Sequence, residues 1–89
     1  MTDLDVTKRI KPVLALVSSY SIRYDYDGNG NLLYVGYTDL GNFNDTNNSV
    51  WSIIKYSYDG SNNLIGKTYA DGDLLFDNIW NDRITLSYS

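Results

Sequence analysis

The chain has no cysteine. That removes disulfides, thiolate nucleophiles and cysteine-type zinc sites, and it leaves the redox compartment unread. It has no histidine, so the usual general base near neutral pH and the commonest metal ligand are missing. It has no glutamate: all eleven acids are aspartate. Alanine occurs twice, and methionine and proline once each, so long helices are not expected. No apolar run approaches the ~20 residues of a membrane-spanning helix. Positive charge is scarce as well. Seven Lys and Arg against eleven Asp leave a net charge of −4, which argues against a nucleic-acid groove, because phosphate binding needs a basic surface.

What the chain does have is turn formers and strand formers. Ten Asn, seven Gly and the aspartates favour turns over helix interiors. Nine Tyr and two Trp supply the bulk that suits strands and interfaces. Its 89 residues make one domain. A domain of that size buries only roughly 60–65% of the surface its unfolded chain exposes, so it is near the size at which stability often borrows from a partner.

One pattern is written twice. Ile22-Arg23-Tyr24-Asp25-Tyr26-Asp27-Gly28-Asn29-Gly30-Asn31-Leu32-Leu33 returns 32 residues later as Ile54-Lys55-Tyr56-Ser57-Tyr58-Asp59-Gly60-Ser61-Asn62-Asn63-Leu64-Ile65. Alternation, an Asp-Gly turn and a second apolar run are the marks of a β-hairpin. Two hairpins are therefore expected, near 21–37 and 50–69. Ile22, Tyr24 and Tyr26 share one face of their strand, with Arg23 and Asp25 on the other. The strand from Val50 onward carries bulk on both faces, Ile54, Tyr56 and Tyr58 against Trp51 and Ile53, and is expected to be central. The run Val13-Leu14-Ala15-Leu16-Val17 reads as a further buried strand behind Pro12, and residues 1–10 as a flexible or partner-ordered arm. With its basic lead-in this run is a poor export signal, being short and preceded by acids. Past the Ala70-Asp71-Gly72-Asp73 turn, Leu75, Phe76, Ile79, Trp80 and Arg83 fall at helical spacing. One short helix is expected there, capped by Asp73, before a closing strand through Ile84, Leu86 and Tyr88. The fold class expected is mainly β: a small antiparallel sheet, sandwich or open barrel of about six strands. Residues 11–89 form its one domain.

Candidate sites follow from the same residues. Asp25, Asp27 and Asn29 stand at alternate positions before Gly30, as oxygen ligands do in a calcium loop. The twelfth position is Gly36, where a bidentate carboxylate belongs, so a plain hairpin turn is the competing reading. Carboxylate pairs (Asp25 with Asp27, Asp71 with Asp73, Asp77 with Asp82) sit in or beside turns, where Asp caps backbone donors, and no catalytic residue or cofactor is assigned. Tyr24, Tyr26, Tyr56 and Tyr58 occupy matching positions of the two copies, with Tyr34 and Tyr37 on the first return strand. They suit cross-strand packing pairs, a subunit interface or a glycan platform. Phe43, alone in a twelve-residue polar loop over 38–49, and the basic Lys8, Arg9 and Lys11 are further contact candidates. Trp51, Phe76, Trp80 and Arg83 are read as structural anchors, with Arg83 pairing with Asp77 or Asp82 or stacking on an aromatic ring.

Two resemblances attach to these motifs. Tyr24-Asp25-Tyr26-Asp27-Gly28-Asn29-Gly30-Asn31-Leu32 is similar to the YD (Rhs-type) repeat, whose tandem strands build encapsulating shells. The second covers about three quarters of the chain. It runs through Tyr34-Val35-Gly36-Tyr37, the polar loop, Val50-Trp51-Ser52-Ile53, Tyr69-Ala70-Asp71-Gly72-Asp73, Phe76-Asp77-Asn78-Ile79-Trp80-Asn81-Asp82-Arg83 and Leu86-Ser87-Tyr88-Ser89. This ordered set resembles a group of short β-proteins encoded among the virion and tail genes of tailed bacteriophages. The resemblance implies a non-enzymatic virion component at the tail, neck, fibre or capsid surface. Its implied partners are copies of itself and neighbouring virion proteins, with no nucleic acid and no membrane. A carbohydrate- or receptor-binding module on a fibre is the alternative. The loop departs from the group: relatives carry Ala, Gly and Ser where this chain has Asp, Asn and Phe43.

Overall fold

A computed structural model of the chain describes residues 20–89. The expected arm over 1–10, the basic residues Lys8, Arg9 and Lys11 and the strand expected at 13–17 lie outside the described residues.

Four strands form an antiparallel meander: β1 (Tyr20–Tyr26), β2 (Leu32–Asp39), β3 (Ser49–Tyr58) and β4 (Leu64–Tyr69), side by side in chain order. A two-residue strand, β5 (Asn78–Ile79), pairs with the start of β3, beyond the point where β4 leaves it. The fold is thus mainly β, an antiparallel sheet of five strands among the described residues. The expected duplication is present as two hairpins, β1–β2 and β3–β4.

Cross-strand registers sort the side chains onto two faces, because paired residues point the same way. Arg23, Gly36 and Ile53 form one row, and Asp25, Tyr34, Lys55 and Thr68 the next. On the opposite face Ile22, Tyr37 and Ser52 align, as do Tyr24, Val35, Ile54 and Tyr69. The alternation expected of β1, and the central place of β3, are therefore as the sequence implies.

The first face holds the core. Trp51 and Ile53 are fully buried, and Tyr34, Ala70 and Trp80 join them. Trp80 sits on a 3-10 turn (Trp80–Asp82), its ring 5.6 Å from that of Trp51. Gly36 makes this approach possible: a Cβ there would lie 2.5 Å from Trp80 Cε3. Truncating a buried ring of this kind costs about 3–5 kcal/mol. Buried polar groups are matched. The Thr38 hydroxyl donates to the Val50 carbonyl at 2.7 Å, and the Asn78 amide to the Trp51 carbonyl at 3.2 Å. Among the described residues no buried side-chain nitrogen or oxygen lacks a partner.

Three expectations need correction. The expected short helix shrinks to the single 3-10 turn Trp80–Asp82, and β5 takes up part of its span. Helical spacing there disguised a chain that sends residues to both sides of the sheet, with Phe76 stacking on Tyr20 while Trp80 enters the core. Five Asp and Asn between 73 and 82 disfavour a helix interior, and the backbone of Asn78 pairs with β3 instead. Asp73 does cap an amide, that of Leu75 at 3.0 Å, but in a turn. The closing strand reduces to one bridge, Ala70 with Tyr88, with Ile84 71% exposed. Tyr34, expected at an interface, is a core residue at 5% exposure, its ring 5.8 Å from that of Tyr88.

Candidate interaction surface

The face opposite the core is built by alternation alone. Ile22, Tyr24 and Tyr26 of β1, Val35 and Tyr37 of β2, Ser52, Ile54 and Tyr56 of β3, and Lys67 and Tyr69 of β4 point the same way. Val35 and Ile54 are buried and form its floor, while Tyr24 and Tyr26 stand 56% and 57% exposed. Lys67 is the charged side chain of this set, its ammonium 5.8 Å from the Tyr69 ring. Tyr37 holds its proton above the ordinary phenol range. Burial is the main cause, and the neighbouring Tyr56 and Tyr24 hydroxyls add to it against the pull of Lys67. Three phenols thus cluster over an aliphatic floor.

At one end the segment after the Asp71-Gly72 turn leans over this face. Leu74 and Phe76 close a mainly apolar cavity of about 240 Å³ with Tyr37, Ser52 and Ile54. Leu74 and Leu75 are themselves exposed. The alternation in β1 and β3 points to this face, but Leu74 and Phe76 could not have been assigned to it, because their segment carries no strand period.

The long loop belongs to the other side. Arg23 lies over the Phe43 ring at 3.9 Å and donates from Nε to the Phe43 carbonyl at 2.8 Å. The Trp51 indole donates to the Asp45 carbonyl at 2.9 Å, and the backbone N–H of Asn81 donates to the Thr46 carbonyl at 3.0 Å. Phe43 therefore remains partly exposed but is clasped at the rim of the covered face, away from the tyrosines. Nothing in the residue pattern signals its partner beyond Arg23 lying on the polar side of β1.

The acidic candidates are engaged by the protein itself. Asp27 Oδ1 accepts from the Asn29 and Asn31 amides at 2.8 and 2.9 Å, and Asp59 Oδ1 from Ser61 and Asn63 at the same distances. Those bonds hold both carboxyls below the ordinary aspartate range. Asp25 points to the opposite side and meets Arg83 Nε at 2.9 Å. Arg83 does stack on Trp80, at 4.5 Å, but its acid partner is neither Asp77 nor Asp82. Asn29 contributes its backbone to the turn. No group of three or more acidic, His or Cys side chains among the described residues is placed to hold a metal ion. Tyr58 donates its hydroxyl to the Leu32 carbonyl at 2.6 Å, linking the two hairpins. Among the described residues no helix is long and apolar enough to cross a membrane.

Comparison with protein-family models, curated proteins and solved structures yields no match.

Proposed function

We propose that this chain is a non-enzymatic structural protein that works through contacts with copies of itself and with neighbouring proteins. The observation that carries the reading is the tyrosine-bearing face: a sheet surface rich in rings, with two charged side chains in its paired rows, Lys67 and the edge residue Asp39, and an apolar floor. Interface centres are depleted in charge and enriched in Tyr and Trp, whereas the free face of a solvated antiparallel sheet is ordinarily polar. Such a component would belong to the virion of a tailed bacteriophage, at the tail, neck, fibre or capsid surface, a reading supported by the resemblance of the ordered motif set to short phage β-proteins.

Two measurements test this. Sedimentation of the purified chain over a wide concentration range is expected to show self-association, and mass spectrometry of purified particles to find the protein in stoichiometric amount. A chain that stays monomeric and is absent from particles refutes the proposal. The exposed rings of Tyr24 and Tyr26 favour one second reading, a glycan- or receptor-binding module on a fibre, since sugar rings stack on such surfaces. Saturation of those rings by an oligosaccharide in glycan-array and NMR titrations would select it over self-assembly.

A further inference from the structure

We infer that the tyrosine face is buried against the same face of a second copy, so that two sheets stack as a two-layer sandwich. The inference rests on the self-association reading above and names its surface. Three observations lead to it.

First, the described chain makes one sheet layer with a core on one side only, whereas domains are ordinarily built of layers packed face to face. On the side that the described residues leave uncovered the alternating positions include Ile22, Tyr24, Val35, Tyr37, Ile54, Tyr56 and Tyr69, which is the pattern of an inner sandwich face.

Second, the area is sufficient. Tyr24, Tyr26 and Leu74 are each more than half exposed, and they present about 100 Å² apiece. The half-buried Ile22, Tyr37, Tyr56, Tyr69 and Phe76 and the exposed Lys67 bring the face near the ~800 Å² per partner of a standard interface. The cavity between Leu74, Phe76 and Ile54 leaves room for an incoming side chain.

Third, charge selects the geometry. The chain carries −4 overall, so most approaches of two copies bring carboxylates together. The aligned rows of this face carry one carboxylate, Asp39 paired with Tyr20 at the end of β2, and one cation, Lys67, so two copies can meet here with the two charges balanced and with Asp39 at the edge of the contact rather than its centre. A two-fold axis between the sheets then uses each patch twice and closes the assembly.

The test uses the full chain and three variants. Tyr24→Asp with Tyr26→Asp places two carboxylates on exposed positions of the face, and both sites tolerate charge in a monomer. Ile84→Asp and Phe43→Ser alter exposed positions elsewhere. Sedimentation equilibrium up to about 1 mM reads the dimer constant, and near-ultraviolet circular dichroism of the two buried tryptophans reports folding. The inference expects the double variant to weaken dimerisation by about 100-fold or more with an unchanged tryptophan signal. The two control variants are expected to dimerise as the parent does. A parent that self-associates equally well in the double variant overturns this face while leaving the self-association reading standing. A parent that is monomeric throughout overturns both.

Discussion

The two hairpins share a plan and differ in employment. Their turns share one backbone hydrogen-bond scheme. In each, the Asp amide donates to the carbonyl four residues on, at 2.8 Å in the first and 3.0 Å in the second, and one carboxylate oxygen collects two amides. Each ladder slips register at the same place, between Asp25 and Tyr26 and between Ser57 and Tyr58. Above the turns the copies part. The first hairpin spends its core-facing positions on tertiary contacts: Asp25 on Arg83, Tyr34 on Tyr88, and Gly36 on making room for Trp80. The matching positions of the second are Ser57, Gly66 and Thr68. Local chemistry fixes the turn, and the return strand is then free to serve a different neighbour.

The sharpest break of that comparison is at glycine. A Cβ at Gly36 would meet Trp80 at 2.5 and 2.6 Å and Trp51 at 3.0 Å, all ring carbons held in the core. Gly36→Ala is expected to cost about 3 kcal/mol, the upper range for overpacking, because neither ring can yield. Gly66→Ala meets only Ser57 Cβ at 3.7 Å. It is expected to be neutral or to stabilise by up to about 1 kcal/mol through a less flexible unfolded chain. Urea denaturation of the two variants checks both signs. Equal losses at the two sites would show that strand propensity, not the tryptophan contact, sets the requirement.

Much of this division is legible in the amino-acid sequence alone. Period-2 alternation with Asp-Gly turns identifies four strands, both faces of β1 and the centrality of β3, because those features depend on neighbours in sequence. Trp51 and Trp80 stand out as anchors because large rings in a small domain have few other uses. What escaped depends on pairs far apart in the chain. Arg83 reaches Asp25 across 58 residues, and no spacing rule distinguishes it from the nearer Asp77 and Asp82. The segment after Asp73 misled for a different reason. Phe76, Ile79 and Trp80 have helical spacing, yet the chain there threads from one face of the sheet to the other, and periodicity cannot separate the two.

The next contrast is between Asp25 and its counterpart Ser57. Arg83→Met removes an ion pair whose partners are 21% and 30% exposed, together with the stack on Trp80. The expected loss is about 1–2 kcal/mol, combining a partly screened pair with a cation–π contact, and thermal melting should show it shrinking at high salt. Ser57→Ala is expected to stay within about 0.5 kcal/mol. A smaller effect, equal in the two copies, belongs to the turn aspartates. Their folded-state pKa values lie below the ordinary aspartate range, because backbone amides donate to the charged form. The stability they contribute is therefore present above about pH 4 and is lost as pH falls through the lowered folded values. Asp27→Ala and Asp59→Ala should each lower the melting temperature at pH 7, and the gap to the parent should close toward pH 2. A gap that persists in acid would mean that the aspartates act through packing rather than charge.

The smallest expected effect tests whether the turns are interchangeable. Gly30 and Asn62 hold the same place with φ of 83° and 65°. Asn is among the few side-chain-bearing residues that visit this left-handed region routinely. A Cβ at Gly30 would meet nothing within 4 Å, so any cost of substitution is conformational. Gly30→Asn is expected to cost less than about 1 kcal/mol, and Gly30→Val distinctly more, since β-branching is least compatible with positive φ. Asn62→Gly relieves the backbone but removes the bond in which the Asn31 amide donates to Asn62 Oδ1 at 2.9 Å, the link between the two turns. An exposed bond of this kind contributes about 0.5 kcal/mol, so the two changes should nearly cancel. Making the substitution again in an Asn31→Ala background separates them. There the bond is already gone, and Asn62→Gly should become stabilising by a few tenths of a kcal/mol. If it does not, the link between the turns is not what offsets the strain at Asn62.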